Sequence, residues 1–186
     1  MNQYALRRDS GLSGFDRRGK YAFLFFVPDY SVANRIRRGT GGLMLIGHFA
    51  IVVAALFTGA AVYINIAEQP ARLDLADAPL LAQWKSAYKR GLVMQASLAL
   101  VGFALGLLAW WITDDWRWAL GAVVLVANWP YTLLGMLPTN NKLMATEPAL
   151  AGPETRKLII TWGSLHAVRS ALGALATAIF IWAAHA

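Results

Sequence analysis

Four long apolar stretches dominate the chain, at about residues 41–67, 91–112, 118–137 and 158–183, with polar segments between them. Each is near or above the roughly 20 apolar residues that carry a helix across a bilayer. The pattern predicts an all-α fold, an integral membrane antiparallel four-helix bundle. Aromatic residues gather at the ends of the stretches, among them Trp84, Tyr88, Trp110, Trp111, Trp116, Trp118 and Trp182. That is where an interfacial belt is expected. Residues 1–40 are polar and basic and read as a tail ahead of a membrane domain at 41–186. Within the tail, YAFLFFV at 21–27 is closed by Pro28 and is too short to span. It reads either as an interfacial segment or as a sticky patch in a disordered tail.

Polar positions inside the apolar stretches carry the next level of information. The last stretch holds Trp162, His166, Arg169 and Gly173 at steps of four, three and four, which places them on one helical face. A charge so far from either helix end is costly in a bilayer and is normally paired or functional. In the first stretch, His48, Ala55, Thr58, Val62, Asn65, Glu68 and Arg72 follow a helical period, and Pro70 is expected to end the helix. Residues 79–89 predict a short amphipathic helix before the second span. The second span carries Gln95 and then Gly102 and Gly106, a spacing that favours close helix packing. Pro130 is expected to kink the third helix, and Pro138 to end it, leaving Thr139–Leu143 as a polar cap.

Four antiparallel crossings bring Asn65, Glu68, Gln95, Asn140, Asn141, Trp162 and His166 to the same membrane side. Bundle cores commonly hold ligands, so a pocket is expected in that half. The plain structural reading pairs Arg169 with Glu68 or with helix carbonyls and leaves His166 as a satisfied polar neighbour. The functional reading makes His166 a proton acceptor and Arg169 a stabiliser of negative charge.

Composition narrows the chemistry. The chain has no cysteine, which excludes disulfides and thiolate chemistry. His48, His166 and His185 fall at different depths, so neither a metal site nor a bis-histidine haem is expected. The net charge of +7 comes largely from the tail, which suits anionic headgroups rather than nucleic acid. The first apolar run starts late for a cleavable leader, so the first helix would act as its own insertion signal. The tail and the second loop together carry nine Lys/Arg against seven in the other two loops, which favours cytoplasmic termini, as in a bacterial inner membrane. Counting only Arg35, Arg37 and Arg38 in the tail reverses the balance.

The motif P-T-N-x-x-L at 138–143, followed by W-x-x-x-H-x-x-R at 162–169, resembles a four-helix membrane family that includes fungal anthrone oxygenases. GAAVYINIAEQPAR at 59–72 looks like that family's first-helix ending, and the resemblance covers roughly residues 43–184. It implies an oxidation by dioxygen of an anthrone- or quinone-like aromatic, without metal or flavin. Carried onto this chain, it makes His166 the base, Arg169 the anion partner and Asn140 a donor to the substrate oxygen. Trp162 becomes a stacking wall, with Tyr63, Asn65, Glu68 and Gln95 as further substrate contacts. The competing reading is a non-catalytic accessory or lipid/quinone-binding subunit, working with a membrane-protein partner or as a homo-oligomer.

Overall fold

The computed structural model describes residues 40–185; the tail and its 21–27 segment lie outside the described residues. It is an antiparallel bundle of four helical rods, each long and apolar enough to cross a membrane. The first rod joins α1 (Thr40–Tyr63), a π turn (Ile64–Glu68) and α2 (Gln69–Leu73). The second is the single helix α3 (Asp77–Thr113). The third joins α4 (Trp116–Val126), α5 (Asn128–Tyr131), a second π turn (Thr132–Met136) and α6 (Leu137–Ala145). The fourth is α7 (Pro153–Ala184), reached through a 3-10 turn at Pro148–Leu150. The first rod packs on the second and fourth, and the third closes the ring against the same two. Large side chains such as Ile66, Trp111 and Leu134 point outward, as lipid contact requires.

Two prolines expected to stop helices do not stop them. Each sits two residues after a π turn, Pro70 after Glu68 and Pro138 after Met136. The amides just before them, Gln69 and Leu137, reach back five residues to the Ile64 and Thr132 carbonyls. A widened turn absorbs the missing proline donor and eases the clash of its ring with the preceding turn. The first rod therefore runs on to Leu73 and the third to Ala145. Residues 79–89 and the second span likewise form one helix. At 37 residues it is about 55 Å long, well beyond the roughly 30 Å hydrocarbon layer.

The first π turn also shifts which side chains face inward. Ala50, Ala54, Phe57 and Ala61 recur every three or four residues, and the next fully buried position is Gln69. That step is eight residues, against roughly seven for two α turns. Gln69 and Arg72 thus become core residues, while His48, at the far end of the expected stripe, is exposed.

Small residues let the rods approach. A Cβ on Gly106 would lie 2.8 Å from the Phe180 ring, and one on Gly121 2.5 Å from it. Phe180 fills that space, with Trp118 tilted against it at 5.7 Å. This is the close packing expected of the Gly102/Gly106 pair.

The loop ends nearer the polar residues are tied by cations. Arg156 pairs with Asp77 at 2.7 Å and donates to the Leu73 and Leu75 carbonyls at 2.7 and 2.5 Å. Lys85 donates to the Met144 and Thr146 carbonyls at 2.9 and 2.5 Å. Both satisfy carbonyls that a helix end leaves without partners. At the other end, Asp115 caps α4, and hydrogen bonds from Arg117 hold its carboxyl below the usual carboxylate range. Replacing Arg156 with alanine is expected to cost about 1–2 kcal/mol, because two carbonyls lose a charged donor on a partly exposed surface. A lowered melting temperature in detergent checks it; an unchanged one would mean that water serves those carbonyls equally well.

Candidate functional site

The fourth rod presents Trp162, His166, Arg169 and Gly173 as one buried stripe. His166 is 1% exposed and Arg169 7%. Gly173 is where the first rod crosses closely, since a Cβ there would meet Phe57 at 2.8 Å.

Asn65 organises the histidine. Its Nδ2 donates to the Gly163 carbonyl at 2.8 Å, which turns Oδ1 toward His166 and Ser170. Ser170 Oγ donates to Oδ1 at 2.8 Å, and His166 Nδ1 lies 2.9 Å from the same oxygen. An amide oxygen only accepts, so the ring proton sits on Nδ1 and the neutral ring keeps its lone pair on Nε2. The opposite face of the stripe is aromatic. Trp162 packs tilted on His166 at 4.9 Å and edge-on against Trp84 at 5.7 Å, and Trp84 stacks on Tyr88 at 4.9 Å.

Two arginines approach this core differently. Arg72 bonds Glu68 at 2.5 Å and lies over the Trp162 ring at 5.5 Å. Gln83 Nε2 donates to Glu68 at 2.9 Å as well. Glu68 is therefore occupied, and it is not the partner of Arg169. Among the described residues no carboxylate lies within ion-pair distance of Arg169, and its Nε is buried without a hydrogen bond. Its guanidinium sits 5.7 Å over the Phe57 ring. A buried cation left in that state is costly.

Two hollows meet at Arg169. The smaller, about 20 Å³, is bordered by Glu68, Arg72, Tyr88, Leu92, Trp162 and Arg169. It has room for little more than a water molecule. The larger, about 270 Å³, opens between the second and third rods and has mainly apolar walls, including Leu92, Ala96, Ala99, Trp129 and Leu133. Gln95, Asn128, Thr132 and Arg169 are the polar residues that line it. That volume is near the lower end of known small-molecule sites. Among the described residues, no three of His, Cys, Asp and Glu gather as a metal site would require.

The residues singled out from the sequence are only partly united. Arg169, Trp162 and Glu68 border the small hollow, and Gln95 and Arg169 the large one. Asn65 and His166 are joined by a hydrogen bond, and His166 is among the lining residues of neither hollow. Asn140 is buried in α6 close to Tyr88, with neither amide atom in a regular hydrogen bond among the described residues. Tyr63 is 62% exposed on the outer surface, away from this group. Asn128 and Gln69 are buried and Tyr88 and Tyr131 are partly buried beside them; the sequence suggested only an interfacial place for Tyr88 and no site role for the other three. Tyr131 Oη donates to the Leu165 carbonyl at 2.9 Å, and Gln69 Nε2 to that of Ile159 at 2.8 Å. Asn128, two residues before Pro130 in an apolar stretch, was the one signal available for this group.

A profile of the family described as Anthrone oxygenase matches residues 84–179. Anthrone oxygenase tpcL of Aspergillus fumigatus is 31% identical over 131 residues, covering 65% of this chain and 81% of the relative. An anthrone oxygenase of Claviceps purpurea is 32% identical over 141 residues, 66% of this chain and 79% of the relative. Both are fungal, so the bacterial setting suggested by the charge pattern draws no support from them. No solved structure matches the chain significantly.

Proposed function

The chain belongs to the anthrone oxygenase family, and from that premise we propose that it is a membrane-embedded, cofactor-independent oxygenase of hydrophobic, anthrone-like aromatics. The observation that carries the reading is Arg169, a buried cation that, among the described residues, has no carboxylate partner and that borders an apolar hollow. The substrate is a flat, greasy molecule that becomes an anion during reaction. An apolar cavity suits its rings, and a waiting guanidinium suits its developing oxyanion.

In the proposed reaction His166 Nε2 takes a proton from the activated ring methylene. The electron pair moves onto the substrate oxygen beside Arg169. The electron-rich anion passes one electron to dioxygen, the resulting radical pair joins as a C–O bond, and the peroxide anion so formed takes back the proton held on His166 Nε2 to give a hydroperoxide. Loss of water from the hydroperoxide leaves a carbonyl where the methylene was. One oxygen atom enters the product and the other leaves as water, so no external reductant is needed. Leu92 and Arg169 border both hollows, so a ligand that displaces Leu92 joins the spaces beside Arg169 and brings its reacting carbon toward Trp162 and His166. Asn65 acts on the base by holding its proton on Nδ1.

Purified protein in detergent, given a hydroxyanthrone and ¹⁸O₂, tests this. The expected result is oxygen uptake with one ¹⁸O in the product carbonyl, unchanged by a metal chelator and without a flavin or haem absorption band. Stoichiometric binding of the aromatic with no oxygen uptake would instead favour the accessory-subunit reading.

A further inference from the structure

Two buried primary amides border the larger hollow, and among the described residues three of their four polar atoms have no partner. Gln95 is 0% exposed, and neither its Nε2 nor its Oε1 makes a hydrogen bond. Asn128 is also buried; its Nδ2 donates to the Leu125 carbonyl at 3.0 Å, which leaves Oδ1 unpaired. That bond fixes the amide orientation, because a flip would set two acceptors against each other. Both residues line the same apolar space as Arg169. Buried polar atoms are rarely left this way without a ligand or water to complete them. A single water is an incomplete answer here, since the space is large and its walls are mostly apolar.

We propose that Gln95 and Asn128 are specificity-determining residues that select ligands bearing a hydroxyl group beside the oxygen held by Arg169. The donor inventory sets the chemistry. Two acceptor oxygens, Gln95 Oε1 and Asn128 Oδ1, call for O–H donors on the ligand, and Gln95 Nε2 offers a donor in return. An unsubstituted or O-methylated aromatic fills the same apolar space and leaves both acceptors buried and unpaired. Sites built to bond a hydroxyl discriminate strongly against analogues that lack it, for this reason. The assignment rests on reading this hollow as the substrate site of the proposed oxygenase, but it concerns binding and is testable without turnover.

The probes are a dihydroxyanthraquinone, its di-O-methyl ether and the hydroxyl-free parent quinone, none of which can be oxidised further at the reacting carbon. Dissociation constants are measured by tryptophan-fluorescence quenching on the full chain in detergent. The wild type is expected to bind the dihydroxy compound at least about tenfold more tightly than either analogue. Gln95→Met keeps the volume and removes the amide. It is expected to reduce the preference to below about threefold and to melt, ligand-free, at the same temperature as wild type or higher. A rise is the mark of a group kept for a ligand, because an amide that serves the fold would lower the melting point when removed. Equal affinities for the three probes in the wild type would overturn the proposal, as would an undiminished preference or a failure to fold in Gln95→Met. Preference without oxygen uptake on any anthrone would leave the proposal standing and remove the oxygenase. Uptake that ignores the hydroxyls would do the reverse.

Discussion

Arg169→Met is expected to melt at a higher temperature than the wild type and to lose at least about a thousandfold in kcat/KM, an effect the size of losing a preorganised oxyanion donor. The stability half follows from the missing partner. Breaking a buried ion pair is destabilising because a charge is left behind, and here, among the described residues, no carboxylate would be left behind. Methionine gives up the cation–π contact with Phe57, worth about 0.5–2 kcal/mol, and removes a desolvation cost of several kcal/mol. The activity half follows from the oxyanion losing the cation that borders the apolar cavity. Arg169→Lys separates charge from geometry: it keeps the cation and loses the planar fork. It is expected to fold and to stay strongly impaired. Melting curves and turnover on the same preparations check all of this, and a large drop in the melting point of Arg169→Met would show that the arginine serves the fold.

The second large effect is at His166. His166→Gln keeps a polar amide of similar reach beside Asn65 and Trp162 and removes the basic nitrogen. Turnover is expected to fall by about 10²–10⁴, the usual contribution of a positioned base, with little change in the affinity for a product quinone. Binding is largely spared because the larger hollow, whose walls hold the rings, lacks His166 among its lining residues. Asn65→Leu should reproduce part of the loss, since the proton is then no longer confined to Nδ1. Activity in His166→Gln equal to wild type would remove the proposed base.

Much of this was legible in the chain because a bilayer makes polarity conspicuous. Trp162, His166 and Arg169 stand out in an apolar stretch, and a regular helix needs only their spacing to align them. The four rods and their antiparallel order follow from lengths alone. The rest was hidden by two local irregularities. Pro70 and Pro138 read as helix stops, because the rule assumes an α turn before them and these follow π turns. The first π turn drew Gln69 and Arg72 into the core, and Tyr63, just before it, faces out. The second carries α6 onward, so that Asn140 sits inside a helix rather than in a cap. The Arg72–Glu68 pair could be foreseen from an i, i+4 spacing, yet Glu68 looked equally suited to Arg169. Three-dimensional packing alone decided between them. Asn128 was masked by its neighbour Pro130, which drew attention to the kink rather than to the amide.

The most direct measurement is an absorption spectrum of the purified protein mixed with a hydroxyanthrone in the strict absence of oxygen. The proton transfer then occurs and the oxidation cannot. With wild type, the spectrum of the deprotonated aromatic anion should grow in to one equivalent per chain and collapse to the quinone when oxygen is admitted. His166→Gln should form it slowly, and Arg169→Met should hold almost none. A wild-type protein that turns over in air but shows no anion under nitrogen, or an Arg169→Met variant that accumulates the anion as fully as wild type, would contradict the account.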